Sequence, residues 1–381
     1  MKLKAIAIAL FLTSLARGAV QGEYLVTDHG GRGDNAFDNA PVINGLIAKF
    51  GPSGGTIIVP AGDFRINSPI VINSDNITIR GVNYGQRSFI DATPPGVFGP
   101  AGGSKIVLGA GLEHGIAVFG EGPPVTGLTI RDLAVQGSDG AVYQTGIFVD
   151  RSNRRTLVSN VNCIALRKGI YMRDCEEAVV ENSWLAECEA PLHMHRGNNC
   201  IVSDNALGGQ PGGVTADFHG HAHLTFTGNN VFPDGHTALF ITDGHHNTIT
   251  NNIFTNWYAG IIQIVGNMNL LAHNQINAVR GHDGQWPNDP KGRDDMFGIV
   301  RISGNDNVLA SNTILSWQPD GHTRVHVAAG DRNVLRNLYI GAAPSHRRIF
   351  VNSGLAHGTL ITRSGHAGEI DAPGARITFD P

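Results

Sequence analysis

The chain has 381 residues, a formal net charge of −4, only 16% charged residues and 50 glycines. That length exceeds what one compact core usually supports, while the glycine excess and low charge suit a fold of many tight turns and stacked apolar strands. The two signs of charge are interspersed with no basic stripe, which excludes nucleic acid and an anionic membrane surface as expected partners.

Residues 1–19 read as a secretory signal. Lys2 and Lys4 form the basic start, residues 5–15 an apolar core too short to span a bilayer, and the small residues before and at Ala19 a cleavage site. The expected location is therefore extracellular or periplasmic. Residues 20–60 read as an N-terminal cap and first strand. Val42, Ile43, Leu46, Ile47 and Phe50 recur at helical spacing with Asp38 as N-cap. Gly51-Pro-Ser-Gly-Gly ends that helix, and Thr56-Ile-Ile-Val opens the first strand. A short amphipathic helix over an open end is what the terminal coil of a solenoid requires.

From 61 to 361 the sequence repeats itself. Asn160, Ser183, Asn205, Asn230, Asn252, Asn274, Asn312 and Asn337 each sit between short apolar runs, mostly 22 to 25 residues apart. Self-similarity at this period marks a solenoid, and the alternating β-branched residues make its units strands instead of helices. A coil of that size holds about three short strands and their turns, so the predicted fold is all-β, a parallel β-helix. Asn fits the bends because it tolerates left-handed backbone and can hydrogen-bond its neighbours above and below. Residues 362–381 read as a C-terminal tail or last strand.

Cys163, Cys175, Cys188 and Cys200 are spaced by 12, 13 and 12. With a coil of about 25, Cys188 would stack on Cys163 and Cys200 on Cys175. Buried free thiols are favoured over two inter-coil disulfides, because in-register parallel strands give poor bridging geometry. No C-x-x-C pair suggests zinc.

Two stretches interrupt the period, 83–104 and 279–298. The second widens the gap between Asn274 and Asn312 to 38 and carries Trp286, Asp294 and Asp295. A loop this long on a regular scaffold is read as functional.

Candidate chemistry concentrates in two places. Carboxylates cluster at Asp174, Glu176, Glu177, Glu181, Glu187 and Glu189. Glycosidic chemistry wants two carboxyls, one of them a protonated acid. Glu187, inside Trp184-Leu-Ala-Glu-Cys, has apolar flanks that favour that state. Most such carboxylates simply face water. Histidines are dense from His193 through His195, His219, His221 and His223 to His246. His-x-His on a strand puts two rings on one face, which suits either a sugar-facing surface or a metal pair; the sugar-facing reading is preferred, with no metal or cofactor assigned. The groove of such a scaffold suits a neutral polymer, since acidic ones call for basic clusters or a Ca²⁺ cage.

Gly-Gly-Val-Thr (212–215), Thr-Gly-Asn-Asn-Val-Phe-Pro (227–233) and Asp-Asp-Met-Phe-Gly-Ile-Val-Arg-Ile-Ser-Gly-Asn-Asp-Asn (294–307) resemble the inulin fructotransferases of glycoside hydrolase family 91, with the related difructose dianhydride hydrolases. The similarity runs from about residue 55 to about 340. It implies a right-handed parallel β-helix, a homotrimer with substrate between subunits, and release of terminal difructosyl units from inulin as a cyclic dianhydride. It implies Glu187 as a catalytic residue, through Leu185-Ala-Glu187-Cys188, and Glu176 as its partner eleven residues earlier, where the family has Asp. His193, Asp217, His221, Trp286, Asp294 and Asp295 are the expected substrate-binding residues. Hydrolysis of a dianhydride, cleavage of another glycan, and non-enzymatic glycan binding stand as alternatives, since fold alone does not choose among them.

Overall fold

The computed structural model describes residues 22–85, 102–138, 144–152, 154–209, 213–232, 237–256, 260–278, 298–316, 323–341, 349–352, 354–362, 370–371 and 375–378. The β-branched alternation forms strands that pair in parallel with the strand one coil away, giving the expected parallel β-solenoid, of about ten turns, with one short α-helix. A regular coil supplies three strands. In one, Val179–Glu181 lies on a first face, Trp184–Cys188 on a second and Ala190–His195 on a third. The next coil repeats them as Ile201–Ser203, Ala206–Gly209 and Val214–His219. Alternate residues point inward and stack in register. Val158, Val180, Val202, Phe226, Ile249, Leu271, Leu309, Leu335 and Ile361 form one such row, each at most 1% exposed. At roughly 1.5–3 kcal/mol for each fully buried side chain, rows of this kind carry the fold.

The bends are built from two residues in sequence. At the bend between first and second faces, a residue with positive φ (Asn182, Asp204, Gly228, Asn251, His273, Ser311) precedes one whose side chain is buried (Ser183, Asn205, Asn229, Asn252, Asn274, Asn312). The buried amides form a continuous ladder. Asn252 Nδ2 donates to Asn274 Oδ1 at 2.9 Å and to the Phe226 carbonyl at 2.9 Å, while Asn252 Oδ1 accepts from Asn229 N and Nδ2 at 2.9 and 3.0 Å. The expected series thus mixes two adjacent columns. Asn160 and Asn337 have positive φ and sit beside the ladder, and the rung is Asn229, not Asn230, which is exposed in the strand that follows. A second ladder, Asn247, Asn269, Asn307 and Asn333, fills the bend between third and first faces. Its spacings of 22, 38 and 26 follow the same coils.

Ala40–Phe50 is the expected helix, with Ile43, Leu46 and Ile47 buried over the first coil; its N-cap is Asn39 and not the expected Asp38, whose Oδ1 accepts from the Ala40 N–H at 3.2 Å. The strands begin earlier than expected, since Gly22–Leu25 pairs with Gly55–Ile58. Within 362–381, read as a tail or last strand, Ile370–Asp371 pairs with the strand Ile349–Val351 and Arg376–Thr378 with Leu360–Thr362. The four cysteines are free and buried. Their stacking is offset from the expected one, because the coil here is 22 residues long. Cys163 is in register with Leu185, and Cys188 Sγ lies 3.3 Å from the Cys163 carbonyl. Burial pushes the Cys163 thiol well above its ordinary range and Cys175 to about 12, so both are held as inert thiols.

Candidate functional site

The bend from second to third face varies in length from coil to coil. The segments 139–143, 210–212, 233–236, 257–259, 279–297 and 317–322, outside the described residues, each fall in sequence between a second-face and a third-face strand. The third face therefore borders a rim where the chain repeatedly departs from the regular coil, the usual place for binding residues on a rigid scaffold.

Inward residues of the third-face strands are apolar (Ile170, Met172, Leu192, Met194, Ala216, Phe218), so the residues between them point out. Sheet register aligns these as a row, Phe148, Tyr171, His193, Asp217, Phe240, Gln263, Arg301 and His326. Two residues on, a parallel row runs Asp150, Arg173, His195, His219. Rings cover the lower part. His114 stacks on Phe148 at 4.5 Å between centroids, Phe148 meets Tyr171 at 5.5 Å, and Tyr171 meets His195 edge-on at 5.2 Å. Lys168 Nζ lies 3.9 Å from the Tyr171 ring centroid. Beside the rings a cleft of about 560 Å³ is walled by the Asp150–Arg173 and Asp174–Arg196 pairs. Aromatic faces flanked by fixed charges and hydroxyl-bonding groups suit a neutral, hydroxylated ligand.

At the centre of the rows His193, His195 and Asp217 converge. An Asp217 carboxylate oxygen lies 3.6 Å from His193 Nδ1 and 3.7 Å from His195 Nε2. Tyr171 Oη lies 3.3 Å from His195 Nδ1. Burial pushes His193 down to about 4, outweighing the pull of Asp217, so this imidazole is neutral at neutral pH. Burial acts to raise the Asp217 carboxyl, but His195, with His193 and His219, holds it below its ordinary value. Lys168 is lowered by burial and by Arg167, against the opposing pull of Asp217 and Glu189. Lys168 and Tyr171 were not among the expected site residues. The signal for them is register, since Tyr171 stands one 22-residue coil before His193.

The other expected residues are scattered. Trp286, Asp294 and Asp295 lie outside the described residues. Glu187 is on the strand Trp184–Cys188, where the register shifts between Ala186 and Cys188, at the rim leading into the third face; its side chain is outside the described part. Glu176 bridges to Asn198 at the opposite bend, between third and first faces. A six-residue strand such as Lys168–Arg173 lies between those bends, a span of about 20 Å at the usual rise. Two catalytic carboxyls work about 5–9.5 Å apart, so the eleven-residue spacing does not pair Glu176 with Glu187 within one chain. His221 is also corrected. It points into the interior, 1% exposed, its ring edge-on to Phe218 at 5.8 Å, with no hydrogen-bond partner on either nitrogen.

This interior histidine sets an acid limb for stability. Burial depresses its folded pKa from 6.5 to about 4. The unfolded chain binds the proton more readily between those values, so stability is full above pH 6.5 and falls as pH drops toward 4, by about 3 kcal/mol. His221→Leu keeps the volume and removes two unpaired ring nitrogens. Its melting temperature should match or exceed the parent's at pH 7 and decline less between pH 6.5 and 4. An unchanged acid limb would show that His221 does not set it.

Residues 102–291 match the family described as periplasmic copper-binding protein (NosD). A comparison with curated protein sequences gives no match. Among solved structures, DFA-IIIase from Arthrobacter chlorophenolicus A6 without its lid, in complex with GF2, aligns with a TM-score of 0.81 at 21% identity, over 95% of this chain and 99% of that one. The same enzyme in complex with DFA-III gives 0.81 at 20% identity, over 94% and 98%. The Agl-KA catalytic domain gives 0.66 at 13% identity, over 94% of this chain and 68% of that one. Among the described residues no helix is long and apolar enough to cross a membrane. The resemblance first carried by short motifs therefore holds at the level of the fold, and the chain shares the β-solenoid of DFA-IIIase along nearly its whole length.

Proposed function

We propose that the chain is a secreted fructan-active enzyme that cleaves terminal difructosyl units of inulin by intramolecular transfer and releases a difructose dianhydride. The observation that carries this reading is the end-to-end likeness to an enzyme whose structures hold DFA-III and GF2, joined to an outer face of rings and polar groups suited to a neutral sugar. Glu187 protonates the oxygen that leaves the anomeric carbon, and positive charge develops on the fructosyl ring. A hydroxyl of the neighbouring fructose then attacks that carbon, gives its proton to a second carboxylate and closes the ring, favoured over water by its proximity as long as the pocket excludes solvent. Tyr171, His193 and Asp217 hold sugar hydroxyls, and Trp286, Asp294 and Asp295 are assigned as further substrate-binding residues. The second carboxylate comes from a neighbouring subunit of a homotrimer. Glu176, on the opposite rim of the third face, is the residue we assign to it.

A second reading, hydrolysis of a dianhydride, is favoured by the DFA-III complex of the similar structure. Incubation with inulin, a short fructo-oligosaccharide and difructose dianhydride III, followed by chromatography, separates the two. Transfer yields a non-reducing cyclic disaccharide from inulin, and hydrolysis consumes the dianhydride. No conversion of any of the three ends both readings. Light scattering should give three chains per particle, and an active monomer would rule out a shared site.

A further inference from the structure

His193 and His195 alternate on one strand, so both rings stand on its outer side. Asp217 is in register with His193 on the next coil. The sheet alone therefore sets a triangle of two imidazoles and one carboxylate, whose ligand atoms all lie within 4.8 Å of one another. Three observations make that triangle unusual for a hydrogen-bonded cluster. The separations of 3.6 and 3.7 Å from Asp217 to the two rings are too long for hydrogen bonds. They lie near the roughly 3.3 Å that separates two ligand atoms about 2.0–2.1 Å from a tetrahedral metal ion. One of the two rings also faces the right way. His195 presents Nε2, which has no hydrogen-bond partner although buried, while its other nitrogen meets Tyr171 Oη. A hydroxyl on the far nitrogen of a ligating histidine fixes tautomer and ring angle.

We infer that His193 Nδ1, His195 Nε2 and an Asp217 carboxylate oxygen form a three-ligand site for a divalent transition-metal ion, with the remaining position open to the outer groove. Two imidazoles with one carboxylate select an ion of the Zn²⁺ type over Ca²⁺ or Mg²⁺, which take oxygen ligands. Three protein ligands leave room for water or a substrate hydroxyl. Because all three side chains project from paired strands, the site needs no loop to assemble it. The inference does not rest on the fructan reading.

The test is metal binding by the full chain, stripped with EDTA and dialysed into chelator-free buffer. Calorimetric titration with Zn²⁺ should show one equivalent per chain, and Co²⁺ should produce the visible bands of a four- or five-coordinate centre. Asp217→Asn and His195→Ala should each weaken binding by 100-fold or more. Tyr171→Phe, which leaves every ligand in place, should weaken it about 10-fold, as loss of a ligand's orienting partner does. The triple variant His223→Ala, His245→Ala, His246→Ala removes an exposed histidine group elsewhere and should bind as the parent does. Circular dichroism checks that each variant folds. No stoichiometric uptake, or uptake that survives both His195→Ala and Asp217→Asn, would overturn the site. Metal binding without turnover of inulin or the dianhydride would sink the proposed function alone, and turnover without metal binding would sink this site alone.

Discussion

Glu187→Gln should lose about 10²–10⁴ in turnover on the fructan that the parent cleaves, the usual worth of a general acid, while its melting temperature and subunit number stay unchanged. The amide keeps the shape and lacks the proton. Because the two rims of the third face are a strand's length apart in one chain, the proposal of a shared site adds a sharper result. Glu187→Gln and Glu176→Gln, each inactive alone, should regain activity when refolded together, since some mixed trimers bring an intact residue from each chain to one cleft. Activity of Glu187→Gln near the parent's would put the acid elsewhere. Failure of the mixture to recover would remove Glu176 from the pair, and Asp217 or Glu189 would be the next carboxylate to substitute.

The largest stability loss should come from a residue far from any chemistry. Asn252 is 1% exposed and makes or accepts five hydrogen bonds within the first ladder. Asn252→Leu fills the space but leaves the Phe226 carbonyl and the Asn229 N–H without their side-chain partner. Each buried group left unpaired costs about 1–3 kcal/mol, and a broken network costs more than an isolated bond, so a total of about 3–5 kcal/mol is expected. Coils of a solenoid contact only their neighbours. Hydrogen exchange should therefore speed up most between residues 226 and 274 and little beyond them. Uniform loss of protection along the chain would contradict the ladder as a local device.

The fold was legible because a solenoid writes its architecture into the sequence repeatedly. Eight polar residues at nearly one spacing gave the coil, and β-branched alternation gave the strands. What the sequence left ambiguous was phase. The left-handed residue and the ladder residue are neighbours, both small and polar, and nothing in the text distinguishes Asn229 from Asn230. Only the inward or outward direction of the side chain does. The same limit explains the cysteines, where a coil of 22 in place of 25 shifts the register. The site was legible as a neighbourhood and not as a geometry. His193, Asp217 and the histidine-rich stretch were visible, but Glu176 and Glu187, eleven residues apart, lie at opposite bends because the chain turns between them. His221 sits two residues beyond His219, a spacing that would keep both on one face of a straight strand. Gly220, with a φ of +63°, turns the chain between them and sends the ring inward.

The rung between Asn274 and Asn312 closes at 3.0 Å, as other rungs do, although 38 residues separate these two and only 22 separate Asn252 from Asn274. The scaffold is thus indifferent to how much chain is spliced in between two rungs. Whatever leaves at the bend after Ala278 can lengthen, shorten or be exchanged with no change in pitch below or above it. Such a molecule can acquire a new substrate preference by trading one inserted segment for another, because inheritance of shape and inheritance of specificity are carried by different stretches of the same chain.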